Sequence, residues 1–325
     1  MLNRLHATTI ATALLTASLA QAAQTTDFPT RPIRLIVPFA AGGSVDISSR
    51  ILAGPLTEIL GQQIVVDNRA GASGAIGANM VAKASADGYT LLAGSSGSVT
   101  ANRAIYSNLP YDSLRDFAPI SMINVTPMVV VTYPGLPVNS IRDFIELARA
   151  QPGRITVGSA GIGSSNHLAL ELFQSMAGGK LLHVPYKGTG AVYTDLIGGQ
   201  VQAMFDQIAS AIGHVQGGRL RALGVTGISR STVLPNIPTL DESGIKGYEA
   251  ASFTGVLAPT GTPQTVLDRL YAAVVKAARM PAVTERFKEL AADPKTTTPQ
   301  EFLQFMRDDI AKWQKVAKAA NIKLD

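Results

Sequence analysis

The sequence predicts an α/β protein of two domains, each a doubly wound sheet, with two crossings between them. Three observations carry that expectation. Short apolar runs alternate with helical patterns along most of the chain, as in mostly parallel sheets. At least five of those runs end in Gly/Ser loops that feed a helix, and ligands on such sheets bind outside the carboxyl ends of the strands. The chain has 325 residues, 46% hydrophobic and 16% charged, which suits two domains with large buried faces and argues against disorder.

Taken in order, Leu35-Ile36-Val37-Pro38-Phe39 reads as the first strand. Ala40-Ala41-Gly42-Gly43 turns into a helix whose apolar residues Val45, Ile47, Ile51, Leu52, Leu56 and Leu60 recur at roughly helical spacing. Ile64-Val65-Val66 is a second strand, followed by the glycine-rich loop and helix "NRAGASGAIGANMVAKA". "YTLLA" is a third strand, ending in Gly94-Ser95-Ser96-Gly97-Ser98. A strand from Met128 closes in a Pro-Gly turn, and Ser140 to Asp143 reads as a helix cap. Ile155-Thr156-Val157 leads through Gly158 to Ser165 into "HLALELFQSM". "LLHVPYKGTG" and "VQAMFDQ" repeat the unit. Arg221 to Tyr248 is turn-rich and reads as a return crossing, "ASFTGVLAP" as a strand rejoining the first domain, and the tail from Pro263 as helical. The expected organisation is residues 23–124 with 249–325 as one lobe, and 125–248 as the other. Facing loops then form a cleft that closes by hinge motion.

The N-terminus reads as a secretory signal over residues 1–22. Arg4 is basic, Ala7 to Ala20 is apolar, and Ala20-Gln21-Ala22 fits a cleavage site, with cleavage near Ala22/Ala23. The apolar stretch falls short of the about 20 residues of a spanning helix. The reading implies a periplasmic, exported protein.

Composition excludes several chemistries. Cysteine is absent, which removes thiol catalysis, Cys-based zinc sites and disulfides. His167, His183 and His214 lack metal-ligand spacing, so neither a metal nor a cofactor is expected. Net charge is +5 with the basic residues scattered, so no nucleic-acid partner is expected. The glycine loops are neither a Walker A loop nor G-x-G-x-x-G. "GSSGS" and "GIGSS" miss the G-x-S-x-G elbow, and nothing pairs a serine with a histidine.

What the loops suit is an anion. A helix N-terminus presents unpaired N–H groups and partial positive charge, and glycine lets the backbone approach closely. Each residue also has a plain structural use. Gly42 and Gly43 serve a tight turn, Ser164 and Ser165 serve as helix caps, Asp46 complements a helix dipole, and Asp206 caps the helix after it. His167 suits a core or solvated place, Phe39 core packing or a cleft wall, and Lys187 solvent.

Four long blocks decide between these uses. The run from "FPTRPIRLIVPFAAGGSVDISSR" to "ADGYTLL", then "PGRITVGSAGIGSSNHLALELFQSMAG", "LLHVPYKGTGAVYTDLIGGQVQAMFDQ" and "LRALGVTGISRSTVLPNIPTLDESGIKGYEA", resembles tripartite tricarboxylate transporter substrate-binding proteins, the Bug family. The resemblance spans the chain after the signal. It implies a two-lobed periplasmic-binding-protein (Venus flytrap, type II-like) fold without catalysis, delivering a small organic carboxylate to a membrane permease. The chain would act as a monomer. Carried over, ligand contacts fall on Phe39, Ala41, Gly42, Gly43, Asp46, Ser95 and Ser96 of one lobe. On the other they fall on Ser159, Ala160, Gly161, Ser164, Ser165, His167, Gly188, Thr189, Gly190 and Asp206. Val45, Leu170, Thr189 and Tyr193 depart from the family pattern, and Val45 with Tyr193 would bias the far end of the pocket toward a less polar or aromatic-bearing ligand. Two alternatives stay open: an exported sensor presenting its ligand to a membrane receptor, and a hydrolase using Ser164 or Ser165.

Overall fold

The computed structural model describes residues 28–322, so the expected signal and its cleavage site lie outside the described residues. Strand β1 (Ile33–Val37) leads to helix α1 (Ser44–Leu60), β2 (Ile64–Asn68), a 3-10 turn (Ala72–Gly74), α2 (Ala75–Ala82) and β3 (Thr90–Ser95). A π-helical segment (Ser96–Ala101) runs into the short α3 (Asn102–Ile105). The long β4 (Phe117–Thr132) is followed by α4 (Ile141–Ala150), β5 (Thr156–Ser159), α5 (Ser165–Ala177) and β6 (Leu182–Pro185). Then come α6 (Thr189–Ile197), β7 (Ala203–Gln207), α7 (Ile208–Gln216) and β8 (Arg221–Val225). The chain returns through β9 (Ala251–Pro259) and ends in α8 (Gln264–Ala278), α9 (Pro281–Glu289), β10 (Asp293–Pro294) and α10 (Pro299–Ala319).

The strand order is β2-β1-β3-β9-β4-β7-β5-β6, with β8 and β10 also paired to β4. Outer neighbours run parallel: β2 with β1, β1 with β3, β7 with β5, and β5 with β6. The strands that meet in the middle, β9, β4, β7 and β8, pair antiparallel. From Phe117 to Pro127, β4 pairs with β9; from Met128 to Thr132 it pairs with β7 and β8. One strand therefore serves two sheets, giving the two-lobed α/β fold.

Local chemistry sets the helices. Ser140 Oγ accepts from the Asp143 amide at 3.1 Å and Asp143 accepts from the Asn139 amide at 2.8 Å, closing the start of α4 as the cap pattern predicts. Thr298 and Glu301 form the reciprocal box at the start of α10. Val45, Leu52, Leu56 and Leu60 bury one face of α1, and Gly61, at φ 67°, ends it. Sheet and helix faces meet in four apolar clusters, two on each side of the β4 crossing point. Helix α10 lies along both halves: Phe302 and Met306 join a cluster with β3 and β9, while Trp313, Val316 and Ala317 join one with α4 and α5.

Three segments differ from the sequence reading. β4 begins eleven residues before Met128 and contains Pro119 and Pro127, residues that ordinarily speak against a central strand. Register shifts lie at Pro119/Ser121 and Met122/Asn124, so Pro119 sits at one of these irregularities. Within the turn-rich stretch, "RALGV" forms β8 on the β4 edge. The serines after β3 wind into the π-helical segment rather than an open loop, with Ser95 and Ser98 capping each other reciprocally.

The two crossings are tied to each other at Thr226. Its hydroxyl accepts from the Met128 amide at 2.7 Å and reaches the Ala250 carbonyl. Its backbone bonds Met128 O at 2.8 Å and the Ala250 amide at 3.1 Å. Thr226 is fully buried, so water cannot replace these partners. Thr226→Val, which keeps the shape and removes the hydroxyl, is expected to lower unfolding free energy by about 1–3 kcal/mol. Urea denaturation checks this, and Thr226→Ser should recover most of the loss.

Candidate functional site

A cavity of about 930 Å³ lies between loops of the two halves. Its first wall is Phe39 to Val45, Ala70 to Gly74, Ser95 and Gly97. Its second wall is Ala160 to Ile162, Ser164 to Asn166, and Pro185 to Gly190. Thr126 of β4 with Ser252 and Thr254 of β9 belongs to the lining near the crossings, and Tyr193, Gln207, Ser210 and His214 close the far side.

Four helices begin at this lining: α1, α5, α6 and α7. Ser164 caps α5 by accepting from the His167 amide at 3.4 Å. The other three start at Gly43, Gly188 and Gln207 without any side-chain cap. Their first-turn amides have no intrahelical acceptor and point partial positive charge at the same space. No Asp or Glu lines the cavity, and the exposed Lys187 stands at its rim. Gly42 takes φ +83° at the entry to α1, a conformation that L side chains rarely adopt. A side chain at Gly74 would press within 2.8 Å of Ser98 and 3.0 Å of the Phe39 ring.

The walls touch. Ser73 Oγ donates to the Ile162 carbonyl across the cleft at 2.8 Å. Ala72 and Ser73 reach that place through positive φ of 46° and 51°, an uncommon conformation for residues other than glycine. Asn102 Nδ2 holds the Ser73 carbonyl at 3.1 Å.

Twelve of the seventeen residues expected at the site line the cavity: Phe39, Ala41, Gly42, Gly43, Ser95, Ala160, Gly161, Ser164, Ser165, Gly188, Thr189 and Gly190. Asp46, Ser96, Ser159, His167 and Asp206 do not, and each is spent inside the protein. Asp46 accepts from the Gly42 amide at 2.9 Å, Asn68 at 3.0 Å and Arg50 at 3.0 Å. Burial pushes its carboxyl up, but these donors, Arg50 foremost, hold it below the usual range. It is an anchor for the first loop. Ser96 bonds the buried Asp309 of α10 at 3.3 Å. Ser159 Oγ lies 2.6 Å from His183 Nε2, and the His183 ring stacks on His167 at 3.8 Å. Burial, with the neighbouring His167, takes His183 down to about 3, so it is neutral at pH 7. His167 Nδ1 accepts from the Gly163 amide at 3.0 Å and so shapes the second loop from behind.

The hydrolase alternative loses its geometry here. Ser164 Oγ donates to the Gly161 carbonyl and Ser165 Oγ accepts from Gln207, so neither pairs with a histidine. The Ser159–His183 pair lies outside the lining, with Ser159 buried and His183 half-buried. Among the described residues no cluster of three His, Asp or Glu could hold a metal, and no helix is long and apolar enough to cross a membrane. Sequence reasoning missed Ala70 to Ser73, Thr126, Tyr106, Tyr186, Asn166, Gln207, Ser210 and His214, and read Lys187 as solvated. Only the Gly71–Gly74 run carried a signal, the same glycine pattern as the other loops.

Asp206 is fully buried, accepting from Asn166 Nδ2 at 2.8 Å and Tyr193 OH at 2.6 Å. It thereby fixes two side chains that do line the cavity. Burial raises its pKa from 3.8 to about 6 against the pull of Tyr193, Asn166 and the Gln207 amide. The unfolded chain therefore loses this proton first, and stability falls as pH rises from 3.8 to about 6. Asp206→Asn should remove that fall, a difference in pH response of the order of 2–3 kcal/mol between the ends of the window. Denaturation midpoints of both proteins across that pH range provide the check.

Comparison with known proteins agrees with this geometry. The family described as "Tripartite tricarboxylate transporter family receptor" matches residues 48–322. BugT of Bordetella pertussis is 38% identical over 96% of this chain and 96% of its own. Among solved structures, Rhodopseudomonas palustris Rpa4515 with adipate superposes with a TM-score of 0.88 at 38% identity, covering 91% of this chain and 99% of that one. MatC from the same organism with bound malate gives 0.84 at 31% identity, covering 89% and 99%. These relatives are solute-binding proteins rather than enzymes, and the chain belongs to the tripartite tricarboxylate transporter receptor family, the Bug-type solute-binding proteins.

Proposed function

We propose that this protein captures a small organic carboxylate between its lobes and delivers it unchanged to a tripartite tricarboxylate-type membrane permease. The observation that carries the reading is the cavity's charge pattern. Three uncapped helix starts and a lysine face it, and no acid does. An anion there gains the amides' hydrogen bonds and the helix-end potential, and meets no like charge. The adipate-bound and malate-bound relatives support a carboxylate as that anion.

In this reading the ligand carboxylate sits on the amides of Gly43 to Val45 and of the Ala160–Gly161 and Gly188–Gly190 loops. Ser95, Ser164, Ser165 and Thr189 add polar contacts. The lobes are residues 23–124 with 249–325, and 125–248, hinged where Thr226 ties the crossings. The exported chain loses its signal near Ala22/Ala23 and works in the periplasm as a monomer. Because the walls belong to different lobes, ligand binding stabilises the closed state, and Ser73 on Ile162 latches it.

Unfolding and refolding the protein to strip carried ligand, then titrating a panel of aliphatic, aromatic and amino-acid carboxylates, tests the reading by thermal shift. A true ligand at a hundred times its dissociation constant should add about 2.7 kcal/mol, a rise of several degrees. A panel without any shift overturns the carboxylate assignment. Ser73→Ala should leave association nearly unchanged and speed dissociation of the best ligand about 2–10-fold, the worth of one neutral hydrogen bond. Stopped-flow displacement measures it.

A further inference from the structure

The contact that joins the two walls is made by a peptide group held from both sides. From the first wall, Ser73 Oγ donates to the Ile162 carbonyl at 2.8 Å. The next amide in the chain, Gly163 N–H, donates to His167 Nδ1 at 3.0 Å. The Ile162 carbonyl and the Gly163 amide belong to one planar trans peptide, so they point in opposite directions and turn together. One end faces the other lobe, and the other end faces the first turn of α5 behind the loop.

The turn that carries this peptide has two forms. Ser164 N–H bonds the Gly161 carbonyl at 3.1 Å, which closes a β-turn with Ile162 and Gly163 at its centre. Gly163 takes φ +76° and Ile162 does not take a positive φ, the pattern of a type II turn. Type I differs by a flip of the central peptide. Glycine at the third position leaves both forms open to the chain, and the flip would carry the Ile162 carbonyl away from Ser73. The acceptor behind the loop chooses between them. A ring nitrogen that accepts an amide carries no proton, so His167 holds its ring proton on Nε2, which lies 3.5 Å from Glu171 Oε1. A flipped peptide would aim its carbonyl oxygen at the lone pair of Nδ1. The plane of the ring is held by His183, stacked on it at 3.8 Å and 10°. His183 is tied to Ser159 Oγ at 2.6 Å, and the same oxygen accepts from the Gly161 amide at 3.1 Å. The turn is thus fixed on both sides of Ile162.

We propose that His167 is a positioning residue for lobe closure. By accepting the Gly163 amide it keeps the Ile162 carbonyl turned toward Ser73, and it sets the strength of the contact between lobes from outside the cavity lining. This rests on the Ser73 latch in the reading above.

Adipate is the probe. Stopped-flow displacement from the refolded protein compares the parent, Ser73→Ala, His167→Phe, His167→Asn and the double variant Ser73→Ala/His167→Phe. His167→Phe keeps a ring against His183 and removes the acceptor. It is expected to speed adipate dissociation about 2–10-fold, the worth of one neutral hydrogen bond. The double variant should release adipate no faster than the faster single variant, because both changes break the same bond. His167→Asn, whose Oδ1 can accept where Nδ1 did, should return most of the parent rate, which a loss of packing would not allow. Crystal structures should show the Ile162–Gly163 peptide flipped in His167→Phe and not in the parent. A faster rate in Ser73→Ala with an unchanged rate in His167→Phe overturns the role of His167 and leaves the latch standing. Additive acceleration in the double variant overturns it too. An unchanged rate in Ser73→Ala overturns the latch and the inference with it. If the parent does not bind adipate, the crystal structures decide alone, and an unflipped peptide in His167→Phe overturns the inference. If His167→Phe does not fold, Gly163→Ala takes its place: positive φ strains alanine and favours the flipped turn, so the same acceleration is expected, and an unchanged rate overturns the inference.

Discussion

One strand shared by two sheets constrains everything else in this molecule. β4 pairs with β9 up to Pro127 and with β7 and β8 from Met128. Neither sheet can slide independently of the other along that strand, because register is fixed by a ladder on both sides. The second crossing is tied to the point where the partners change through Thr226. The loops of the two halves face each other across the cleft. α10 spans both halves, its first half packing with one lobe and its second half with the other.

The cleft's electrostatics follow from what is withheld from it. Acids that stand beside the binding loops in sequence are turned inward. Asp46 is bound by Gly42, Asn68 and Arg50, and Asp206 by Asn166 and Tyr193. Either carboxylate aimed into the cavity would satisfy the helix amides itself and repel an anionic ligand. Behind the walls, the same acids hold the loops in shape. Arg50 offsets Asp46 in the first turn of α1, and Asp206 takes the Gln207 amide at the start of α7, which leaves the helix end at Gly188 with no acid beside it.

Much of this was legible in the sequence, and the limits have physical causes. Glycine loops between an apolar run and a helical pattern announce their conformation, so Gly42, Gly161 and Gly188 pointed to the right places, and each takes positive φ. Direction was less legible. A polar residue beside a loop faces cavity or core according to its position on a helix turn, and Asp46, His167 and Asp206 fall on the core side. The first half of β4 is hard to read because Pro119 and Pro127 disfavour a strand, while the antiparallel pairing accommodates Pro127 and a register shift lies at Pro119.

The proposed site, made chiefly of backbone amides, has a consequence for specificity. Amides and helix ends recognise a carboxylate whatever it is attached to, because they read only charge and oxygen geometry. They supply affinity common to every acid and no discrimination among acids. Discrimination is a difference of affinities, and it must come from the side chains that meet the remainder of the ligand. In a cavity walled largely by Gly, Ala and Ser, few side chains are large or polar enough to do so: Phe39, Tyr106, Tyr186, Tyr193, Lys187 and His214 among them. In the proposed site, the inward acids and the amide nest can thus stay constant while a handful of wall positions change the ligand selected.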